Sequence, residues 1–247
     1  MHPMFKLAAS AALMLAAPTM AQNQEAPFAP VMATFSGQGA LVLPPAQALS
    51  INGSGTIEFW VAAQWQNALD YDPAVIAYSG PQGARFAVHI AADRQGLGVY
   101  AGQFFQGVQF DFSDGQAHYV ALVTIGDSID VYIDGQFRTT LGYGFADLPA
   151  ETFSVGSIGN FSPFIGLIGQ VRIWDEPIDP DVLNYFSWRP IETQGPNAHP
   201  DLDALVGAST FGNPETSGFV FVGDGDPINT TLPPEPFDDS DIDLPGQ

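Results

Sequence analysis

Cysteine is missing from the whole chain of 247 residues. In an exported protein that absence excludes a disulfide framework, so stability has to come from a packed interior. A domain of ~150 residues can supply one, because it buries roughly 68–70% of the surface its unfolded chain exposes. Lysine occurs once, at Lys6, inside a segment that reads as a secretion signal: 7–17 is an apolar run, and Thr19-Met20-Ala21 offers small residues before Gln22. Residues 1–21 are therefore expected to be removed, leaving a secreted or periplasmic protein. That run is too short to anchor in a bilayer, and no other stretch is long and apolar enough, so membrane insertion is not expected.

Positive charge is equally scarce. Without Lys6 the chain holds five arginines (Arg85, Arg94, Arg138, Arg172 and Arg189) against 27 acidic residues, a net charge of −22. Such a surface repels nucleic acid phosphates and anionic membranes, which argues against both as partners. It attracts cations, and two readings stay open. One is calcium binding. The other is a solubilising surface for saline surroundings, where salt at ~1 M shortens the Debye length to ~3 Å.

Several reaction classes lack their residues. There is no Gly-x-Ser-x-Gly elbow, and His89, His118 and His199 show no metal-ligand spacing. Gly223-Asp224-Gly225-Asp226 has no lysine to cradle a phosphate. Helical periodicity is confined to one short segment after Pro180, with Asp179 as N-cap and Val182, Leu183 and Phe186 turned inward. No internal repeat is present.

What the chain does have is alternation. Ile129, Val131 and Ile133 alternate with Asp130 and Tyr132, as in a strand with one face on a core. Asp134-Gly135 then provides the positive φ of a tight hairpin, and 137–141 returns. Ile57, Phe59 and Val61 alternate with Glu58 and Trp60. Further short runs at 39–43, 74–78, 86–91, 98–101, 108–112 and 119–124 are bounded by Gly, Pro, Asp or Ser, the spacing of an all-β sandwich or barrel.

In order, Gly39-x-Ala-Leu-x-Leu-Pro with Thr56-Ile57-Glu58-Phe59-Trp60-Val61, His118-Tyr119-Val120-Ala121-Leu122-Val123 with Val131-Tyr132-Ile133-Asp134-Gly135, and Gly166-Leu167-Ile168-Gly169-Gln170-Val171-Arg172-Ile173-Trp174 resemble the LamG-like, concanavalin A-like jelly rolls. The likeness spans about residues 35–187. It implies an all-β, two-sheet antiparallel jelly-roll sandwich whose first and last strands are adjacent, with binding at the loop rim or concave face. It also implies a packing role for His118 at the start of its strand. Relatives often carry acidic residues before the Val-Arg-Ile strand; Gly169-Gln170 stands there instead, which weighs against a metal of that type. Laminarinase-like members use Glu-x-Asp-x-x-Glu, or Glu-x-Asp-x-Glu, to aim two carboxylates into one cleft. The seven glutamates (25, 58, 151, 176, 192, 215 and 235) are too dispersed for that motif. Its nearest imitation places Asp130 and Asp134 on one face of a strand.

The domain plan is a signal at 1–21, a linker at 22–34, the sandwich at 35–189, an acidic C-terminal extension at 190–232 with one or two added strands, and a disordered acidic tail at 233–247. Two acid pairs, Asp224/Asp226 and Asp70/Asp72, are candidates for calcium, although neither completes an EF-hand loop; no cofactor is otherwise required. Trp65, Asn67, Asp70, Tyr71 and Asp72 mix aromatic and polar groups in one loop, as a sugar-binding pocket would. Gln103-Phe104-Phe105-Gln106 is a second such segment. Alternatively these aromatics cap the open ends of the sandwich, and Trp60 and Trp174 are expected in the core or on its inner face. The expected function is a secreted, non-catalytic module binding a glycan, or else an extracellular protein.

Overall fold

A computed structural model describes residues 32–209 apart from 39, 44–50, 81–82, 146, 149–151, 193 and 196–197, together with 219–221 and 229–230. The signal at 1–21, the pair Asp224 and Asp226, and the tail at 233–247 lie outside the described residues. The first strands are β1 (Met32–Ser36), β2 (Leu41–Leu43), β3 (Ile51–Asn52), β4 (Ser54–Ala63), β5 (Ala74–Gly80), β6 (Gly83–Ile90), β7 (Gly96–Ala101) and β8 (Phe104–Gln109). After them come β9 (His118–Ile125), β10 (Ser128–Ile133), β11 (Gln136–Leu141), β12 (Asp147–Leu148), β13 (Thr152–Val155) and β14 (Ile165–Trp174). The helix α1 (Pro180–Phe186) precedes β15 (Leu205–Ser209), β16 (Phe219–Phe221) and β17 (Asn229–Thr230).

Two antiparallel sheets make the sandwich. The larger runs β11-β10-β9-β4-β14-β15-β16-β17, with β1 on β14; the smaller runs β2-β13-β5-β6-β7-β8. The first strand thus lies against β14, and β15 and β16 extend the large sheet. Ile57, Phe59 and Val61 of β4 and Ile129, Val131 and Ile133 of β10 are fully buried among Phe86, Val88 and Val99 of the smaller sheet. The β10–β11 turn uses Asp134 at φ 53° and Gly135 at φ 71°, the pair of positive angles a two-residue hairpin needs. One strand is displaced from expectation: pairing begins at Phe104 and ends at Gln109, rather than running over 108–112. A two-residue turn at Gly102-Gln103 sets Ala101 opposite Phe104, and Phe112 leaves the sheet to bury beside His118.

The outer face of the large sheet is covered as well. Opposite β4, the register of β14 passes from Trp60↔Gly169 to Glu58↔Arg172, three residues against two, with Gln170 at φ 46°. This bulge sends Ile168 and Val171 both into the sandwich and puts Arg172 and Trp174 on the outer face beside Glu58. Glu58 is 1% exposed there. Its Oε1 accepts from Trp174 Nε1 at 2.9 Å and from Arg172 Nη1 at 3.4 Å, and its Oε2 accepts from the Tyr119 hydroxyl. Arg172 also donates to the carbonyls of Phe186 (3.1 Å) and Arg189 (2.5 Å), and Trp60 Nε1 donates to that of Ser187 (2.6 Å).

These bonds strap α1 across the sheet. Asp179 caps the helix through Asp181 N, while Leu183 buries with Trp174 and Tyr119 and Phe186 buries against His199. His199 lies 4.4 Å from the rings of both Trp174 and Phe186, and burial pushes its imidazole down to about 4. Trp174 and Trp60 are therefore packed, as expected, but in a second buried cluster under the strap and not on the inner face of the sandwich. Alternation places Trp60 correctly on the face away from Phe59 but says nothing of the bulge that turns Trp174 outward or of a layer supplied by later sequence. Removing one member of a buried ion pair costs about 3–5 kcal/mol. Glu58→Ala is expected to lose that much in urea unfolding; a loss below about 1 kcal/mol would show that the network contributes little.

Candidate functional site

β4 crosses the molecule from end to end, with Gly53 before it and Trp65 just after it. The Trp65 end is closed. Trp65 is 4% exposed, its Nε1 donates to Ala92 O at 2.8 Å, and its ring meets Phe164 edge-on at 5.7 Å. The Tyr71 hydroxyl donates to Pro163 O at 3.2 Å, and Asp72 Oδ1 accepts from Ala92 N at 2.8 Å. Asn67 and Asp70 are exposed beside this braced loop. Of the five residues singled out here, the structure joins Trp65 to Asp72 through Ala92, and it turns the indole inward as an end cap.

His118 secures the same end. Its Nδ1 faces Asp134 Oδ2 at 2.8 Å and its Nε2 faces Asp114 Oδ1 at 3.1 Å, while Phe110 and Phe112 meet its ring edge-on at 4.8 and 5.5 Å. Asp134 also accepts from Tyr119 N, and Asp130 accepts from the Thr140 hydroxyl at 2.6 Å. The two aspartates thus serve separate hydrogen bonds. Among the described residues no group of three or more His, Asp or Glu side chains is placed to hold a metal.

The Gly53 end is open. Three turns converge there: Gly102-Gln103 between β7 and β8, Gly126-Asp127 between β9 and β10, and Gly142-Tyr143-Gly144-Phe145 after β11. They enclose a cleft of about 720 Å³, with Arg85 and Asp127 as its charged groups. Gly144 has a steric reason: a Cβ there would come within 2.0 Å of Gly126 O. Phe145 is buried against Phe86 at 4.9 Å and forms the base. The Tyr143 hydroxyl donates to Val99 O at 2.5 Å and accepts from Gln106 N at 3.1 Å, and Gln106 Oε1 accepts from Gly142 N at 3.0 Å. Held in this way, Tyr143 stacks on Phe104 at 5.6 Å with the rings 17° from parallel. Phe104 is 61% exposed. A large apolar ring free on one face and edged by Gln103, Asp127 and Arg85 can hold the C–H face of a polar ring while side chains meet its hydroxyls.

Sequence reading reached Gln103 and Phe104 but missed Tyr143, Asp127 and Arg85. The Gly-aromatic repeat at 142–145 is the signal that marks the turn. Nothing local shows that it meets β8.

Two antiparallel sheets packed face to face, with β1 against β14, define a jelly-roll sandwich. A laminin G family model, of the concanavalin A-like lectin/glucanases superfamily, matches residues 35–183. The chain belongs to that superfamily. No curated protein matches it. Among solved structures it is similar to a candidate carbohydrate-binding protein from Bacteroides ovatus, at 17% identity, TM-score 0.58, 83% of this chain and 57% of that one. It is also similar to the heptameric SAP-like pentraxin from Limulus polyphemus, at 14% identity, TM-score 0.54, 79% of this chain and 93% of that one. A third is the CBM40 of the Ruminococcus gnavus IT-sialidase, bound to α2,3-sialyllactose, at 15% identity, TM-score 0.51, 63% of this chain and 95% of that one. Identities this low bear on the fold alone.

The hydrogen bond to Asp134 raises the His118 pKa above the ordinary 6.5, with burial opposing and Asp114 assisting. A group raised in the folded state stabilises fully below its unfolded value, and the contribution is lost as pH rises through the folded value. The stability difference between the native protein and His118→Gln is therefore expected to shrink as pH climbs above 6.5. NMR titration of His118 together with urea unfolding at each pH checks this, and a His118 pKa below 6.5 would contradict it.

Proposed function

We propose that this chain is a secreted, non-catalytic carbohydrate-binding module that takes its ligand in the rim cleft at Phe104 and Tyr143. The observation that carries this reading is the stacked, solvent-facing ledge those rings make. Phe104 is held flat on Tyr143 with one face open to solvent, and the neighbouring groups suit hydroxyls. Superfamily membership adds support, since similar sandwiches include a sialyllactose-binding module. The non-catalytic part follows from the carboxylates. Retaining glycoside hydrolysis needs two about 5–5.5 Å apart, and Asp127 is the single acid among the described residues of the cleft. Export follows from the apolar run and small residues before Gln22, and N-terminal sequencing of the exported protein is expected to begin there.

A glycan array, run with and without calcium, tests the reading. Binding is expected for neutral glycans, and Phe104→Ala is expected to weaken it about tenfold, as for a central aromatic contact. Because Phe104 is an exposed edge residue, that variant should keep its melting temperature. Absence of binding to any glycan in either condition, with recovery of an extracellular protein in a pull-down, would replace the sugar reading with an adhesive one. Release of reducing ends from a β-glucan would overturn the non-catalytic assignment. Dependence on calcium would direct attention to Asp224 and Asp226.

A further inference from the structure

Consecutive residues of a strand point to opposite faces. β8 ends the smaller sheet: among the described residues it pairs with β7 on one side and with no strand on the other. Phe104 turns to the rim cleft. Phe105 turns the other way and is 58% exposed on the outer face of the sheet. Its ring lies across Gly98, where a Cβ would come within 2.5 Å of Phe105 Cζ.

A second hollow of about 330 Å³ opens beside it. Gly98 and Gly107, paired across β7 and β8, leave its floor low. His89, its ring 6.5 Å from that of Phe105, stands on one side, and Gln95, Gln109 and Asp72 supply polar groups. The two hollows share no lining residue, and the Phe104-Phe105 peptide is their boundary.

Each hollow pairs one exposed aromatic ring with amides and carboxylates. A small ligand cannot touch both faces of a strand, whereas a chain can by passing over the edge. β8 (Phe104-Phe105-Gln106-Gly107-Val108-Gln109) also lacks the charges and proline that ordinarily shield an edge strand, and its pairing with β7 has no bulge. The acids at Asp72, Asp93 and Asp127, within a chain of net charge −21, disfavour a polyanion.

Resting on the carbohydrate-binding reading, we infer that β8 is a two-sided grip for a neutral polysaccharide, which stacks one sugar on Phe104, crosses the strand edge and stacks another on Phe105. The module then binds internal stretches of a polymer and not chain ends or short oligosaccharides.

Affinity electrophoresis of the full chain in gels containing β-1,3-glucan, xylan, arabinan or galactomannan, with calorimetry against the matching trisaccharides, tests this. The native protein is expected to bind at least one polymer about tenfold or more tighter than its trisaccharide. Phe104→Ala should weaken both ligands about tenfold. Phe105→Ala should lose about tenfold on the polymer and leave the trisaccharide unchanged. Gly98→Ala, which pushes the Phe105 ring aside without deleting it, should reproduce that pattern. Unchanged polymer retention in both of these variants, or equal affinity for polymer and trisaccharide in the native protein, overturns the two-sided grip and leaves the rim-cleft reading intact. A change of oligomeric state in Phe105→Ala without loss of retention also overturns it, in favour of a second copy at this edge. Binding to none of the polymers or trisaccharides overturns both readings.

Discussion

A buried carboxylate governs how this sandwich is finished. Glu58 sits in the middle of β4, away from water, and its two oxygens have to be satisfied where they are. Trp174, Arg172 and Tyr119 do so, and they can because the bulge at Gly169-Gln170 shifts β14 by one residue against β4. Without that shift Arg172 and Trp174 would face the hydrocarbon interior and Val171 would face outward. The guanidinium then has donors left over, and they reach the carbonyls that follow α1. One ion pair thereby couples two adjacent strands to a helix and to a stretch of irregular chain, and Gly169-Gln170 becomes intelligible as backbone geometry.

The inner faces were legible in the sequence because their rule is local. Alternation of Ile129, Val131 and Ile133, an Asp-Gly turn, and an Asp-x-x-x-Leu helix start each announce themselves within a few residues, and each is found in place. Alternation alone marks Glu58 and Trp60 only as the other face of their strand. Their burial depends on residues more than a hundred positions later, for which no periodicity exists. The same limit applies to the site. Trp65 has the composition of a binding loop, yet Ala92 O and Phe164 claim its indole. Tyr143, which completes the ledge, belongs to a Gly-rich turn whose partner strand lies far upstream. Composition could nominate aromatics; only the assembled turns decide which of them face water.

The two ends of the molecule are built from similar side chains to opposite effect. At the His118 end, carboxylates close on an imidazole and rings interlock edge-on, so polar and aromatic groups are spent on one another. At the Gly53 end, glycines at the turns keep side chains out, and Phe104 and Tyr143 stack nearly flat instead of nesting in the interior. Openness there is a property of backbone conformation more than of any single polar residue. An aromatic ledge in such a place combines a rigid base with an uncommitted upper face.

The strap over the large sheet gives the molecule a front and a back. One layer is upholstered by its own chain, with α1 and the residues around His199 laid over it, while among the described residues nothing is laid over the opposite layer around Gly98 and Phe105. Approach by anything large is thereby directional. A partner or a surface meeting the upholstered side encounters helix and loop, and both hollows remain turned toward the surrounding medium. Attachment through that side, whether to a bead or to another domain, would leave the ligand-facing side unobstructed.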